Sequence, residues 1–227
     1  MFVFISCNST NKNTDKQSSN ATENNIDSTA NDKKIIELNF GFKVILEEKS
    51  EVFDIYKTYN SFKLIRGEKV LYLDNSLEEY EFENKLFPIL LKTGNNNFEL
   101  LVEINNRPNK NYLKRMFIQG NEIIKEDKLP TFEAAPRDIN NDGIEEYAGY
   151  WFYAEIWGKN DSLTSYNPIL YYSITETGLQ LDSALTKARN EIIYGTFFDF
   201  SYSEKYKQPI SVTGKFDQEI KFIKGEL

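Results

Sequence analysis

Histidine is absent from all 227 residues, which removes Ser-His-Asp and Cys-His nucleophile systems, His-ligated zinc and the usual near-neutral general base. No stretch fits GxxxxGK[ST], GxGxxG or GxSxG, so phosphate-cradling loops and nucleophile elbows have no basis in this chain. An enzyme built from it would have to work with carboxylates, tyrosine, lysine or a bound metal. Cysteine occurs once, at Cys7, and a chain of this length can bury a core without disulfide staples. Tryptophan and methionine are scarce, two of each, against 14 tyrosines and 17 phenylalanines, and that balance favours pleated sheet over helix. Cations are outnumbered and scattered, giving a net charge of −8, so nothing supports a nucleic-acid partner. The best basic cluster, Arg107, Lys110, Lys114 and Arg115, reads as a solvated strand face.

At the start of the chain Cys7 follows a short apolar run and the small Ser6 in MFVFISC. This resembles the lipobox that ends a bacterial lipoprotein signal peptide, with Phe4 where that pattern usually has leucine and with the charged n-region missing. The resemblance implies lipid modification of Cys7, a remnant of signal peptide over 1–7, and a membrane partner reached through the lipid. Residues 8–33 are rich in Asn, Ser and Thr and free of aromatics, the composition of a polar, disordered tether. As a random coil such a segment would span about 30 Å. The Asn-rich, Lys-rich usage is similar to envelope lipoproteins of the Bacteroidetes type, which implies an outer-membrane or periplasmic location.

From Lys34 to the end the pattern becomes short apolar runs separated by turn residues, as expected for antiparallel strands. Strands are predicted over 35–40, 43–46, 62–66, 70–73, 87–92, 98–104, 112–119, 122–125, 146–157, 169–175, 179–182, 196–202, 210–213 and 219–223. Gly67, Gly120 and Gly178 mark tight hairpin turns, which need a positive φ. The stretch LDSALTKARNEIIYG sets Ala184, Leu185, Ala188 and Ile192 at helical spacing, with Asp182 or Ser183 as N-cap and Gly195 as stop. One short helix is therefore expected near 183–194, with a second considered over 47–59. The fold class is mainly β: meandering antiparallel sheets in a sandwich or an incomplete propeller-like stack.

One stretch, DINNDGIEEY at 138–147, carries its polar side chains in an order that suggests chemistry. Asp138, Asn140 and Asp142 alternate, Gly143 permits a sharp turn, and Glu146 follows, so oxygens converge on a hard cation. The loop resembles the DxDxDGxxD calcium loop of integrin-type FG-GAP repeats, with Asn140 and Glu146 standing in for aspartate. An EF-hand fits less well, because its twelfth position would be Gly149 and an aromatic run follows. Carried over by position, the resemblance implies a structural Ca²⁺ held by Asp138, Asn140, Asp142, the Ile144 carbonyl and Glu146. The competing reading is an Asx-rich turn that binds nothing. Behind the loop, 146–157 reads as a central strand buried on both faces, with Trp151, Tyr153 and Trp157 as candidate ligand contacts should one face be exposed. Together these features point to a lipid-anchored envelope protein that binds or scaffolds a glycan or protein partner, more than to an enzyme. The alternatives are a carbohydrate-active enzyme using a carboxylate pair, or an inhibitor or small-ligand module.

Overall fold

The sequence NFELLVEIN shows why one strand organises the molecule: Phe98, Leu100, Val102 and Ile104 face one way, and Glu99, Leu101 and Glu103 the other. All seven are buried, so this strand is covered on both sides. In the computed structural model, which describes residues 33–49, 57–74, 77–82 and 84–227, it is the seventh of fifteen strands. The expected anchor Cys7 and the tether, apart from Lys33, lie outside the described residues.

Nine strands form one antiparallel sheet: β1 (Lys34–Glu37), β2 (Phe42–Lys49), β3 (Thr58–Arg66), β4 (Lys69–Asp74), β5 (Glu79–Glu81), β6 (Ile89–Lys92), β7 (Asn97–Asn105), β8 (Tyr112–Gln119) and β9 (Glu122–Pro130). The order is β1-β2-β3-β5-β7-β8-β9, with β4 beside β3 and β6 beside β7. The sheet curls on itself without closing. Arg66, ending β3, donates to the Gly120 carbonyl in the β8–β9 turn and stacks on Phe42 and Phe98. The halves enclose a first core of Phe42, Leu46, Phe62, Leu64, Leu100, Val102 and Met116. Each such side chain contributes about 1.5–3 kcal/mol by leaving water.

The outer face of β7-β8-β9, through Leu101, Leu113 and Leu129, packs on a three-stranded sheet of β10 (Glu146–Gly149), β13 (Leu170–Thr175) and β14 (Gly178–Leu181), which answers with Tyr147, Tyr172 and Leu179. The far side of that sheet, Ala148 and Tyr171, is covered by Leu185 and Ile193 of α1 (Ser183–Tyr194) and Ile223 of α2 (Ser211–Lys224). A second small sheet contains β11 (Ile156–Trp157), β12 (Leu163–Tyr166) and β15 (Ser203–Pro209). The protein is thus mainly β, as its composition suggests, in stacked layers with a helical cover. Among the described residues no helix is long and apolar enough to cross a membrane.

Helix α1 runs as its pattern predicts, with Asp182 accepting from the Leu185 N–H and Gly195 closing the helix in the left-handed region at φ 77°. Helix α2 corrects the strands expected at 210–213 and 219–223: Val212, Phe216, Glu219 and Ile223 recur every three or four residues and line its inner side. The strand expected at 196–202 is irregular chain, with β15 beginning at Ser203. Of the helix considered over 47–59, the ends belong to β2 and β3, and 50–56 lie outside the described residues.

The expected long strand 146–157 is also corrected, because it breaks after Gly149. A Cβ at Gly149 would lie 2.4 Å from the Thr131 carbonyl oxygen, and beyond this close approach the ladder ends. Tyr150 turns onto Phe216 beneath the Lys110 ammonium, Phe152 onto Tyr202, and pairing resumes only at Ile156.

Candidate metal loop and the chain behind it

Arg137 and Glu146 exchange both backbone hydrogen bonds, at 3.1 and 2.8 Å, and close the base of a loop between them. One side of that base is fixed by the Arg137 guanidinium, which donates to the Phe222 carbonyl near the end of α2 at 2.6 Å. Ile139, buried in the third core, pins the loop's first turn.

Within the loop, Asn141 and Gly143 take φ of 62° and 87°, the left-handed region that Asn and Gly tolerate. The polar side chains fold onto their own backbone. Asp138 accepts from the Asp142 and Gly143 N–H groups at 3.1 and 2.9 Å, and Asp142 accepts from the Ile144 N–H at 2.8 Å. Asn140 accepts from the Asp142 N–H at 3.1 Å and donates to the Asp142 carboxylate at 2.8 Å. The bonds that Asn140 accepts from the Asp142 N–H and Asp142 from the Ile144 N–H are Asx-turn bonds, expected of such a sequence with or without a cation, while Asp138 accepts from N–H groups four and five residues on. Among the described residues no three acidic side chains are arranged to hold a metal ion.

Glu146 is different. It is 2% exposed, and its Oε2 accepts from the Ile139 N–H at 2.9 Å while its Oε1 has no hydrogen-bond partner. Burial raises its proton affinity; the Ile139 N–H opposes this, and the charges of Asp142, Asp138 and Asp182 add to it. Asp138 and Asp142 thus act on a buried carboxyl at the floor of the loop. Ile144 is exposed, and its N–H is engaged by Asp142.

The three aromatic contact candidates do not share one surface. Trp151 packs against the second core, Trp157 is half-buried beside Leu163 in the small sheet, and Tyr153 stands 61% exposed. The break after Gly149 exposes two residues that strand periodicity does not single out, Phe152 at 45% and Ile156 at 52%.

The basic cluster read as a solvated face is largely internal. Lys110 pairs with Glu133 at 2.7 Å, Arg115 with Glu99 at 2.8 Å, and Arg107 grips both oxygens of Glu81. Lys114 meets Glu78 at 2.6 Å and Asp74 at 3.0 Å, with Tyr72 and Tyr80 alongside. Burial disfavours the Lys114 charge, but Glu78, Tyr80, Tyr72 and Asp74 outweigh it and raise its proton affinity, so this amine stays cationic and is no nucleophile. Across the helices, Arg189 and the Tyr171 hydroxyl both donate to Glu219. Comparison with protein-family models, with curated proteins and with solved structures finds no match.

Proposed function

We propose that this chain is a lipid-anchored binding or scaffold protein of the bacterial cell envelope, at the outer membrane or in the periplasm, whose folded part is stiffened by one calcium ion in the loop closed by Arg137 and Glu146. The observation that carries the calcium reading is Glu146: a carboxyl buried beneath two loop aspartates, with one oxygen lacking any partner. A buried polar atom without a partner costs about 1–3 kcal/mol, and a dication beside it would remove that cost and the repulsion from Asp138 and Asp142 together. The ligands would be Asp138, Asn140, Asp142, the Ile144 carbonyl and Glu146. Their carboxylates must turn inward to meet one ion. Each oxygen that now accepts one N–H keeps a second lone pair, so the turn bonds can survive that movement.

Binding is favoured over carbohydrate hydrolysis because, apart from Glu103 and Glu146, the buried carboxylates among the described residues are tied up in ion pairs. Asp74, Glu78, Glu81, Glu99 and Glu219 each hold a lysine or arginine that ties one layer or strand to another. The exposed aromatic rings of Phe152 and Tyr153 suit contact with a glycan or protein partner.

Calorimetric titration of calcium into chelator-treated protein tests the loop. With an affinity of about 10⁻⁴ M and about 1 mM calcium, linkage gives on the order of 1.4 kcal/mol, a melting shift of a few degrees. Magnesium should give much less, since it demands a tighter octahedron. Asp142→Ala should stay folded and lose the response. No heat and no shift up to several millimolar calcium would leave the Asx turn as the whole account.

A further inference from the structure

Strand β5 has only three residues, yet it is the sole ladder joining the two halves of the large sheet among the described residues. It meets β3 at Thr58↔Glu81 and Tyr59↔Tyr80, and β7 at Glu79↔Asn105, Tyr80↔Ile104 and Glu81↔Glu103. Two carboxylates therefore sit directly opposite each other in the joint, an arrangement that disfavours antiparallel pairing when both are charged. Their compensation is unequal. Glu81 receives both Arg107 guanidinium nitrogens and the Asn111 amide at 3.0 Å. Glu103 receives only that same amide, at 3.1 Å, and its Oε2 is buried with no hydrogen-bond partner. The nearby Lys110 ammonium is committed to Glu133 and lies over the Tyr150 ring.

We infer that the β5–β7 joint is an acid-closed seam: at low pH a proton on Glu103 lets it lie opposite Glu81, and the joint loosens as pH rises and the two carboxylates ionise against each other. Four groups and the surrounding burial act on Glu103. Glu81 comes from β5, Arg107 and Lys110 from the β7–β8 connection, and Asn111 from the approach to β8, while the packed sheets create the burial. Burial raises its proton affinity first; Asn111 opposes, Glu81 adds, and Lys110 and Arg107 oppose, with a net upward shift. A carboxyl raised in the folded state contributes stability that is complete below its ordinary value of 4.5 and disappears as pH rises through the folded value. The window therefore opens above pH 4.5 and extends upward, opposite to that of an ion-paired carboxylate.

The test compares full-length protein and Glu103→Gln by urea unfolding from pH 4.5 to 8, with chelator present and ionic strength fixed. Relative to the variant, the folded-to-unfolded ratio of the parent should fall by up to about tenfold per pH unit until Glu103 is ionised. Parallel curves would overturn the proposal. Hydrogen exchange of the parent supplies a readout should the variant fail to fold. After correction for intrinsic rates, amides of residues 79–81 should lose protection from pH 5 to 8 relative to those of β8 and β9. Unchanged relative protection would overturn it equally.

Discussion

Gly67 and Gly178 both close hairpins with positive φ, at 59° and 108°, but their surroundings make them unequal. A Cβ at Gly67 would meet nothing within 4 Å, whereas at Gly178 it would come within 1.9 Å of Glu99 Oε1. That oxygen cannot simply move aside, because Arg115 holds Glu99 through two nitrogens and the Leu179 N–H holds its other oxygen. Gly67→Ala should therefore cost about 1–2 kcal/mol, the left-handed penalty alone. Gly178→Ala should cost about 2–4 kcal/mol, adding forced repacking. Urea midpoints of the two variants check the difference, and equal losses would show that Glu99 yields freely. At this scale the glycine turns were legible from sequence, and so was the Asx turn around Gly143, since its bonds are local. The fate of the charges was not. Arg115 and Glu99 are 16 residues apart and Lys114 and Asp74 are 40 apart, so the chain shows the cations without showing which acids fold over them. Glu146 was legible as a loop carboxylate but not as a buried one, because glutamate is seldom buried and only the strand register puts it inside.

Helix α1 does more than cover the three-stranded sheet. Its buried Asn190 accepts from the Ile169 N–H at 3.0 Å and donates to the Ile169 carbonyl at 2.7 Å, and Thr186 accepts from the Tyr171 N–H at 3.1 Å. These side chains take over backbone groups that β14 no longer reaches, since its pairing with β13 ends at Tyr172↔Leu181. Asn190→Leu keeps the branched outline of the side chain, at a larger volume, and suits a helix, but strips Ile169 of both partners. The expected loss is about 2–6 kcal/mol, from two buried groups at about 1–3 kcal/mol each. Equilibrium unfolding measures it, and a loss below that of an ordinary surface substitution would mean that Ile169 finds other partners. The helix itself was readable because cap, stop and apolar spacing agree. Helix α2 was not, since Val212 and Thr213 are β-branched, Gly214 interrupts the run, and four- or five-residue apolar stretches fit either period. The long strand 146–157 misled for a different reason: its aromatic residues alternate well, but the close approach at Gly149 is a tertiary fact.

At the scale of the whole molecule, the meandering antiparallel character was legible while the layering was not, because strands such as β7 read simply as apolar runs whichever sheets cover them. At the same scale, composition sets the polar N-terminal segment apart from the rest of the chain. Residues 8–33 contain only Ala21, Ile26 and Ala30 as apolar side chains. Burying an isoleucine returns about 1.5–3 kcal/mol and an alanine less, while ordering 26 residues costs about 1–2 kcal/mol apiece for the backbone alone. On composition, this segment is expected not to offset that cost, and under the proposed anchor its role would be to set location. Removing residues 1–32 should leave the melting temperature within about 2 °C of the full chain, a shift below roughly 1 kcal/mol for a domain this size. Cys7→Ser, expressed behind a functional export signal, should move the protein from the membrane to the soluble fraction while leaving the melt unchanged. A truncated form that melts many degrees lower would show that the segment packs on the sheets, and a parent protein as soluble as Cys7→Ser would remove the lipid anchor from the account.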